Sequence, residues 1–163
     1  MSDMDTKKYS EKRRIGNIGE DIVAMFLVKQ GYRILDRNYL KKWGEIDLIL
    51  EIDNLIRFVE VKTQVTRENK AKDVSRNVSR DCFTVSDFQM LVSRETLDDD
   101  IYRPEDNVHY WKQKRLIRAI ETYLMERNID ENKEWQIDVV TVKIDFPNKT
   151  AIIKHIENVV FDV

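Results

Sequence analysis

Two β-rich runs, Glu45–Ile52 and Leu55–Lys62, are separated only by Asp53-Asn54. A two-residue connection of this type between alternating runs predicts a tight hairpin. The loop length also sets the register. Ile52 then faces Leu55, Asp47 faces Glu60, and Glu45 faces Lys62. Directly opposed side chains share a sheet face, with Cβ atoms ~4.5–5.5 Å apart. Two carboxylates placed so destabilise a sheet unless a cation compensates, and a hard divalent ion such as Mg²⁺ takes oxygen ligands including one or two carboxylates. Ile49 and Phe58 lie on the Asp47/Glu60 face, which predicts partial burial there. Ile46, Leu48 and Leu50 against Val59 and Val61 predict a fully buried opposite face. Lys62 adds a positive charge two residues from Glu60 on the same face. It is suited to orienting or deprotonating a water, or to stabilising charge on a phosphate. The competing reading is a solvated face on which Lys62 alone relieves the two carboxylates, and an odd-length loop would put Asp47 and Glu60 on opposite faces.

The rest of the chain sets this hairpin in an α/β protein. Ile15, Ile18, Ile22 and Phe26 recur at helical spacing, predicting a helix over 10–30 with Ser10 as N-cap and Gly31 just past its end. Ile34 to Tyr39 reads as a short strand. Gln113, Ile117, Ile120 and Leu124 predict a second helix over 110–128. Residues 135–144 and 150–156 read as strands around a Pro147-Asn148 turn. The order α-β-β-β-α-β-β implies a mixed central sheet of about five strands flanked by helices. The 163 residues suit a single domain. Residues 66–108 form an irregular stretch within it, an insertion or flexible segment with at most a short helix at 85–94. So long a connection is characteristic of functional or disordered chain.

Composition excludes some classes. No apolar run approaches the ~18 residues of a membrane span, and residues 1–14 are too polar for a secretory signal. With a single cysteine, Cys82, an internal disulfide is impossible, which is compatible with the cytoplasmic location expected here. His109 and His155 form no zinc-like pattern with Cys82, and no phosphate-binding glycine loop occurs. The net charge is −2, but residues 1–80 carry 17 basic and 13 acidic side chains, against 11 and 17 in the remainder. The first half thus offers a surface that could face phosphates.

Several side chains outside the hairpin are candidates with two readings. Glu20 shares a helix face with Gly16, Val23 and Leu27. It is either a rim glutamate or, if Gly16 and Gly19 let the helix approach a backbone closely, an outer metal ligand. Lys112 and Lys114 flank Gln113 at the second helix's start and either reach a phosphate or are solvated. Trp43 either stacks on a base or caps the core. Asp138 is either a structural hydrogen-bond acceptor or an accessory charge.

Taken together, Gly16-Asn17-Ile18-Gly19-Glu20, the run from Gly31 to Tyr39, Gly44-Glu45-Ile46-Asp47-Leu48-Ile49 and Phe58-Val59-Glu60-Val61-Lys62 resemble the YraN family of small bacterial proteins. That family is described as predicted endonucleases, similar to archaeal Holliday-junction resolvases and part of the restriction-endonuclease-like PD-(D/E)xK superfamily. The resemblance covers residues 16–63 and resumes more weakly at Lys112-Gln113 and Asp138-Val139-Val140. It implies a restriction-endonuclease-like core. Asp47, Glu60 and the Val61 carbonyl would be ligands to Mg²⁺ (or Mn²⁺), Glu20 an outer ligand, and Lys62 the catalytic lysine. The implied substrate is DNA, with branched or junction DNA as a candidate form, and the implied assembly a homodimer. The chain departs from the family in its long 66–108 stretch, in Gln64 where arginine is usual, and in Gln136 where an arginine usually precedes the Phe-Asp pair. These changes bear on substrate binding, and Gln64, Trp43, Lys112 and Lys114 are the candidate nucleic-acid contacts. A catalytically silent nucleic-acid- or protein-binding module that keeps the fold is the alternative.

Overall fold

The computed structural model describes residues 3–66, 85–92 and 110–161. Helix α1 spans Asp3–Lys29, and strands β1 (Arg33–Lys41), β2 (Gly44–Ile52) and β3 (Leu55–Val65) follow it. A 3₁₀ turn at Val85–Asp87 leads to β4 (Gln89–Val92). Helix α2 (Tyr110–Glu126), β5 (Trp135–Asp145) and β6 (Thr150–Ile156) complete the chain. Most of the 66–108 stretch lies outside the described residues.

Among the described residues the sheet has six strands in the order β1-β2-β3-β5-β6-β4. β1, β2 and β3 form an antiparallel meander, and β5 and β6 an antiparallel pair. β3 with β5, and β4 with β6, are parallel. The sheet is therefore mixed, as expected, but with one strand more than the sequence suggested. The extra one, β4, occupies the place of the short helix expected at 85–94. A four-residue strand shows no decisive periodicity of its own. Pairing with β6, extended by the Gln89 amide donating to the Lys149 carbonyl (2.9 Å), is what makes it extended.

Both helix ends follow local chemistry. α1 closes in a Schellman motif. The Tyr32 N–H donates to the Leu27 carbonyl, the Gly31 N–H to that of Val28, and Gly31 takes φ +96°. α2 closes the same way with Asn128 (φ 49°) in the glycine's place. At its other end α1 begins at Asp3, not at Ser10, since no glycine or proline between them stops it.

Each helix covers one face of the sheet. Ile22, Val23, Phe26 and Leu27 of α1 pack against Leu48, Leu50, Val59, Val140 and Val142. Leu116, Ala119, Ile120 and Tyr123 of α2 pack against Ile46, Ile49, Ile56, Phe58 and Ile137. Three expectations change here. Ile46 joins the α2 core rather than the face of Leu48 and Leu50. This accompanies an irregularity on the neighbouring strand, where Asn38 has φ 52° between the pairs Arg37–Leu48 and Tyr39–Ile46, beyond a register shift between Ile34 and Asp36. Ile49 and Phe58 are fully rather than partly buried, because α2 closes that face. The buried row of α2 runs through Leu116, Ala119, Ile120 and Tyr123 instead of Gln113, Ile117, Ile120 and Leu124. Lys112 lies one turn before Leu116, and its ammonium reaches Glu60 on the sheet.

Candidate active site

The β2–β3 register is the one the loop predicts, from Ile52–Leu55 to Leu48–Val59, over a turn in which Asp53 (φ 49°) and Asn54 (φ 65°) are both left-handed, as in a type I′ turn. The ladder then stops. Asp47–Glu60 and Glu45–Lys62 are not ladder pairs, contrary to the expectation of direct cross-strand pairing. Facing carboxylates disfavour close pairing. Where the strands part, the Asp47 carboxylate instead accepts the Val61 N–H at 2.7 Å.

Two lysines converge on Glu60, which is 7% exposed. The Lys62 ammonium donates to Oε1 at 2.7 Å, and Lys112, from the first turn of α2, donates to the same oxygen. A cavity of about 520 Å³ opens on this group, walled by Glu45, Asp47, Glu60, Trp111, Lys112 and Arg115. Lys62 joins it through Glu60.

Glycines set both helices against these strands. A Cβ on Gly19 would collide with the Thr63 hydroxyl and lie 2.7 Å from Thr63 Cγ2, so only glycine lets α1 rest on β3 beside Lys62. Gly16 meets nothing within 4 Å, so the close approach expected of both glycines belongs to Gly19 alone. A Cβ on Gly44 would collide with the Arg115 carbonyl oxygen and lie 3.0 Å from its carbon. Gly44 thereby seats α2, and Lys112 with it, over the start of β2. The far end of α2 is tied to β1, where Glu126 accepts from the Tyr39 hydroxyl and the Lys41 ammonium, both at 2.7 Å.

The electrostatics are opposed across the site. Burial, then the charge of Glu60, pushes the Asp47 carboxyl above its ordinary value, against the Val61 hydrogen bond. Burial would also raise Glu60, but the Lys62 and Lys112 ammoniums outweigh it and the net shift is downward. Burial lowers Lys62 despite Glu60, whereas Glu60 outweighs burial at Lys112 and raises it. Glu20 is raised by burial and by Glu45. The Arg37 charge and the Asn38 side chain oppose that rise, and the charge of Glu20 in turn raises Asp47.

The donor set suits a hard cation in type. It comprises two carboxylates with the Val61 carbonyl between Glu60 and Lys62, and Asp47 ionises at a cost that a cation would remove. Among the described residues, no group of three or more His, Cys, Asp or Glu side chains is placed to hold a metal. Glu20 is thus not gathered with Asp47 and Glu60 as a third carboxylate ligand.

The remaining candidates fall elsewhere. Gln64 is exposed on β3. Trp43 is half-buried against α2, with the Arg118 guanidinium 4.6 Å from its ring centre and its carbonyl accepting from Arg115 Nε at 2.7 Å. Lys114 lies 6.0 Å over the Trp111 ring. Asp138 is a buried acceptor. Its carboxylate receives Arg57 (3.0 Å), His155 Nε2 (2.8 Å), Gln136 (2.7 Å) and the Asn158 N–H (2.9 Å). The site residues that sequence reasoning missed are Glu45, Trp111 and Arg115. Trp111 and Arg115 share a helix face at a spacing of four, a signal that a search centred on Gln113 passes over.

A mixed sheet with a helix on each face, and acidic and lysine side chains where β2 and β3 part, defines an α/β protein compatible with a restriction-endonuclease-like core. Comparison with known proteins places it more narrowly. The model of the family described as "Uncharacterised protein family UPF0102" matches residues 19–85, a span holding Glu20, Asp47, Glu60 and Lys62 but ending before Lys112. A UPF0102 protein of Alkaliphilus oremlandii is 30% identical over 146 residues, covering 90% of this chain and 97% of its own. One from Caldanaerobacter subterraneus is 29% identical over 153 residues (93% and 98%), and one from Campylobacter jejuni 30% over 146 (90% and 93%). The chain belongs to the UPF0102 (YraN) family.

Proposed function

We propose that this chain is a Mg²⁺-dependent endonuclease that hydrolyses phosphodiester bonds in DNA, acting in the cytoplasm. The observation that carries the reading is the gathering of Asp47, Glu60, Lys62 and Lys112 at the parting of β2 and β3, open to an approximately 520 Å³ cavity. Asp47, Glu60 and the Val61 carbonyl would hold Mg²⁺ or Mn²⁺, which when bound supplies Lewis acidity to the phosphate. The chain's own groups do the rest. In hydrolysis a water oxygen bonds to phosphorus as one P–O ester bond breaks, the water gives up a proton, and the leaving alcohol gains one. Lys62, held by Glu60, is placed as the ammonium to orient that water or balance charge on the phosphoryl oxygens, and as the neutral amine, the form its burial favours, to take the water's proton. Lys112 supplies a second positive charge on the opposite wall. Burial of Glu60 keeps bulk water from weakening these interactions.

The test is cleavage of plasmid, linear and branched DNA with Mg²⁺ or Mn²⁺. Wild type should cut, and Asp47→Ala and Lys62→Ala should lose at least about a hundredfold of the rate, the scale of a positioned acid–base or electrostatic group. If both variants cut like wild type, the mechanism is wrong. Branched DNA is the candidate substrate because a two-fold dimer would present two sites to one junction. Sedimentation with and without a junction tests that dimer.

One observation favours a second reading. Lys62 and Lys112 already neutralise Glu60, and a site balanced by its own lysines could bind nucleic acid or protein without turnover. That module would bind DNA equally well in Lys62→Ala and would show no metal-dependent cleavage as wild type.

A further inference from the structure

Beside the carboxylate cavity, on the same helix, lies a second and larger groove of about 710 Å³. Among the described residues, Trp43, Trp111, Lys114, Arg115 and Arg118 form most of its wall, with Glu121 the single acidic one. The two spaces adjoin, with Trp111 and Arg115 lining both. Residues 111, 114, 115 and 118 follow one face of α2 at spacings of three and four, so an indole and three cations stand in a row leading to Lys112 and Glu60.

The two tryptophans differ in what they offer. Trp43 is half-buried in the groove's wall, with the Arg118 guanidinium 4.6 Å from its ring centre and Arg115 donating to its carbonyl. Trp111 is 72% exposed, a large apolar surface that folding leaves in water. An exposed indole among cations, opening onto a site with phosphodiester-cleaving residues, matches one polymer in both chemistry and charge. That polymer carries a flat apolar ring and a phosphate at every unit. In a duplex the rings are stacked on each other and closed to an outside indole, whereas an unpaired strand presents them.

We infer that the groove binds an unpaired DNA strand, with a base stacked on Trp111 and phosphates along Lys114, Arg115 and Arg118. The substrate therefore carries a single-stranded segment next to the bond that is cut. The cut rests on the nuclease reading above, but the binding does not.

Binding is best measured by fluorescence anisotropy in EDTA, where no cleavage can occur, with a labelled oligo(dT) and a duplex of equal length. Wild type should bind oligo(dT) more tightly than duplex. Trp111→Ala should weaken oligo(dT) about tenfold, within the ~1–3 kcal/mol measured for stacking one base on an aromatic side chain, and leave duplex affinity unchanged. Trp111→Phe should retain most of the affinity. Arg118→Ala should weaken binding and flatten its salt dependence, as loss of a phosphate contact does. Unchanged oligo(dT) affinity in Trp111→Ala, or tighter duplex binding by wild type, overturns the inference and leaves the groove to a protein partner. Metal-dependent cleavage is assayed separately with Asp47→Ala as the control. A wild type that never cuts but shows the Trp111 effect sinks the nuclease reading alone. One that cuts while Trp111→Ala binds normally sinks the strand platform alone.

Discussion

Replacing the Asp47 carboxylate by its amide separates two things this side chain does. Asn keeps an oxygen to accept the Val61 N–H but removes a charge that burial and Glu60 both oppose. In metal-free buffer Asp47→Asn should therefore be more stable than wild type by about 1 kcal/mol, a rise of roughly 2–4 °C in Tm for a chain of this size. The same variant should lose Mg²⁺ binding by calorimetry. A lower melting temperature would show that the charge is not the costly feature. The sign follows from the shift. A carboxyl raised on folding favours the folded state when protonated and opposes it when ionised, so the ionised form is what the amide relieves. The identity of these residues was readable from the hairpin. Their contacts were not, because the distance at which two strands part depends on what else approaches them. Lys112 arrives from a helix fifty residues downstream, and its part became visible only once Leu116 and not Ile117 was seen to face the sheet.

Helix α1 carries a built-in comparison between two glycines three residues apart. Gly16→Ala adds a methyl in open space and removes glycine's backbone freedom, so it should stabilise by about 0.5–1 kcal/mol. Gly19→Ala drives a methyl into Thr63 and should destabilise by about 1–3 kcal/mol. It should also lower cleavage, since Thr63 adjoins Lys62 and Glu20 adjoins Gly19. Urea melts of the two single variants check both signs, and equal effects would mean that α1 does not rest on β3 as described. At this scale the long periodic helices, the strands and the two-residue turn were legible from spacing. β4 was not, since a strand of four residues at a sheet edge is specified by its partner. The irregularity at Asn38 and Asp47 escaped for a related reason. Alternation assumes an unbroken pleat, and Ile46 crosses to the other core where the pleat breaks.

For the whole molecule, acid stability should be governed in part by Asp138, which sits on the α1 side of the sheet. Burial raises its carboxyl, but His155, the Asn158 amide, Gln136 and Arg57 outweigh burial and hold it down at about 2. A carboxyl lowered on folding contributes stability that is complete above its unfolded value near ~4 and is lost as pH falls toward the folded one. A shift of this size corresponds to about 2 kcal/mol, lost between roughly pH 4 and pH 2. Asp138→Asn should lower stability at pH 7 and flatten that acid limb in chemical denaturation, and an unchanged limb would remove Asp138 from the account. Asp138→Ala should cost more, about 3–5 kcal/mol, because it leaves the nearly buried Arg57 without its buried partner. No described helix is long and apolar enough to cross a membrane.

The pairing of β4 with β6 also bears on the order in which the chain can become itself. Gln89 to Val92 lie alongside Thr150 to Ile153, about sixty residues later, whereas β1 pairs with β2 and β2 with β3, each with its immediate successor. On the ribosome the meander has its partners within a few tens of residues of synthesis. Residues 89–92 must wait for nearly the last strand to emerge. A chain truncated before Thr150 would thus lose two strands from the sheet, one of them made long before the cut.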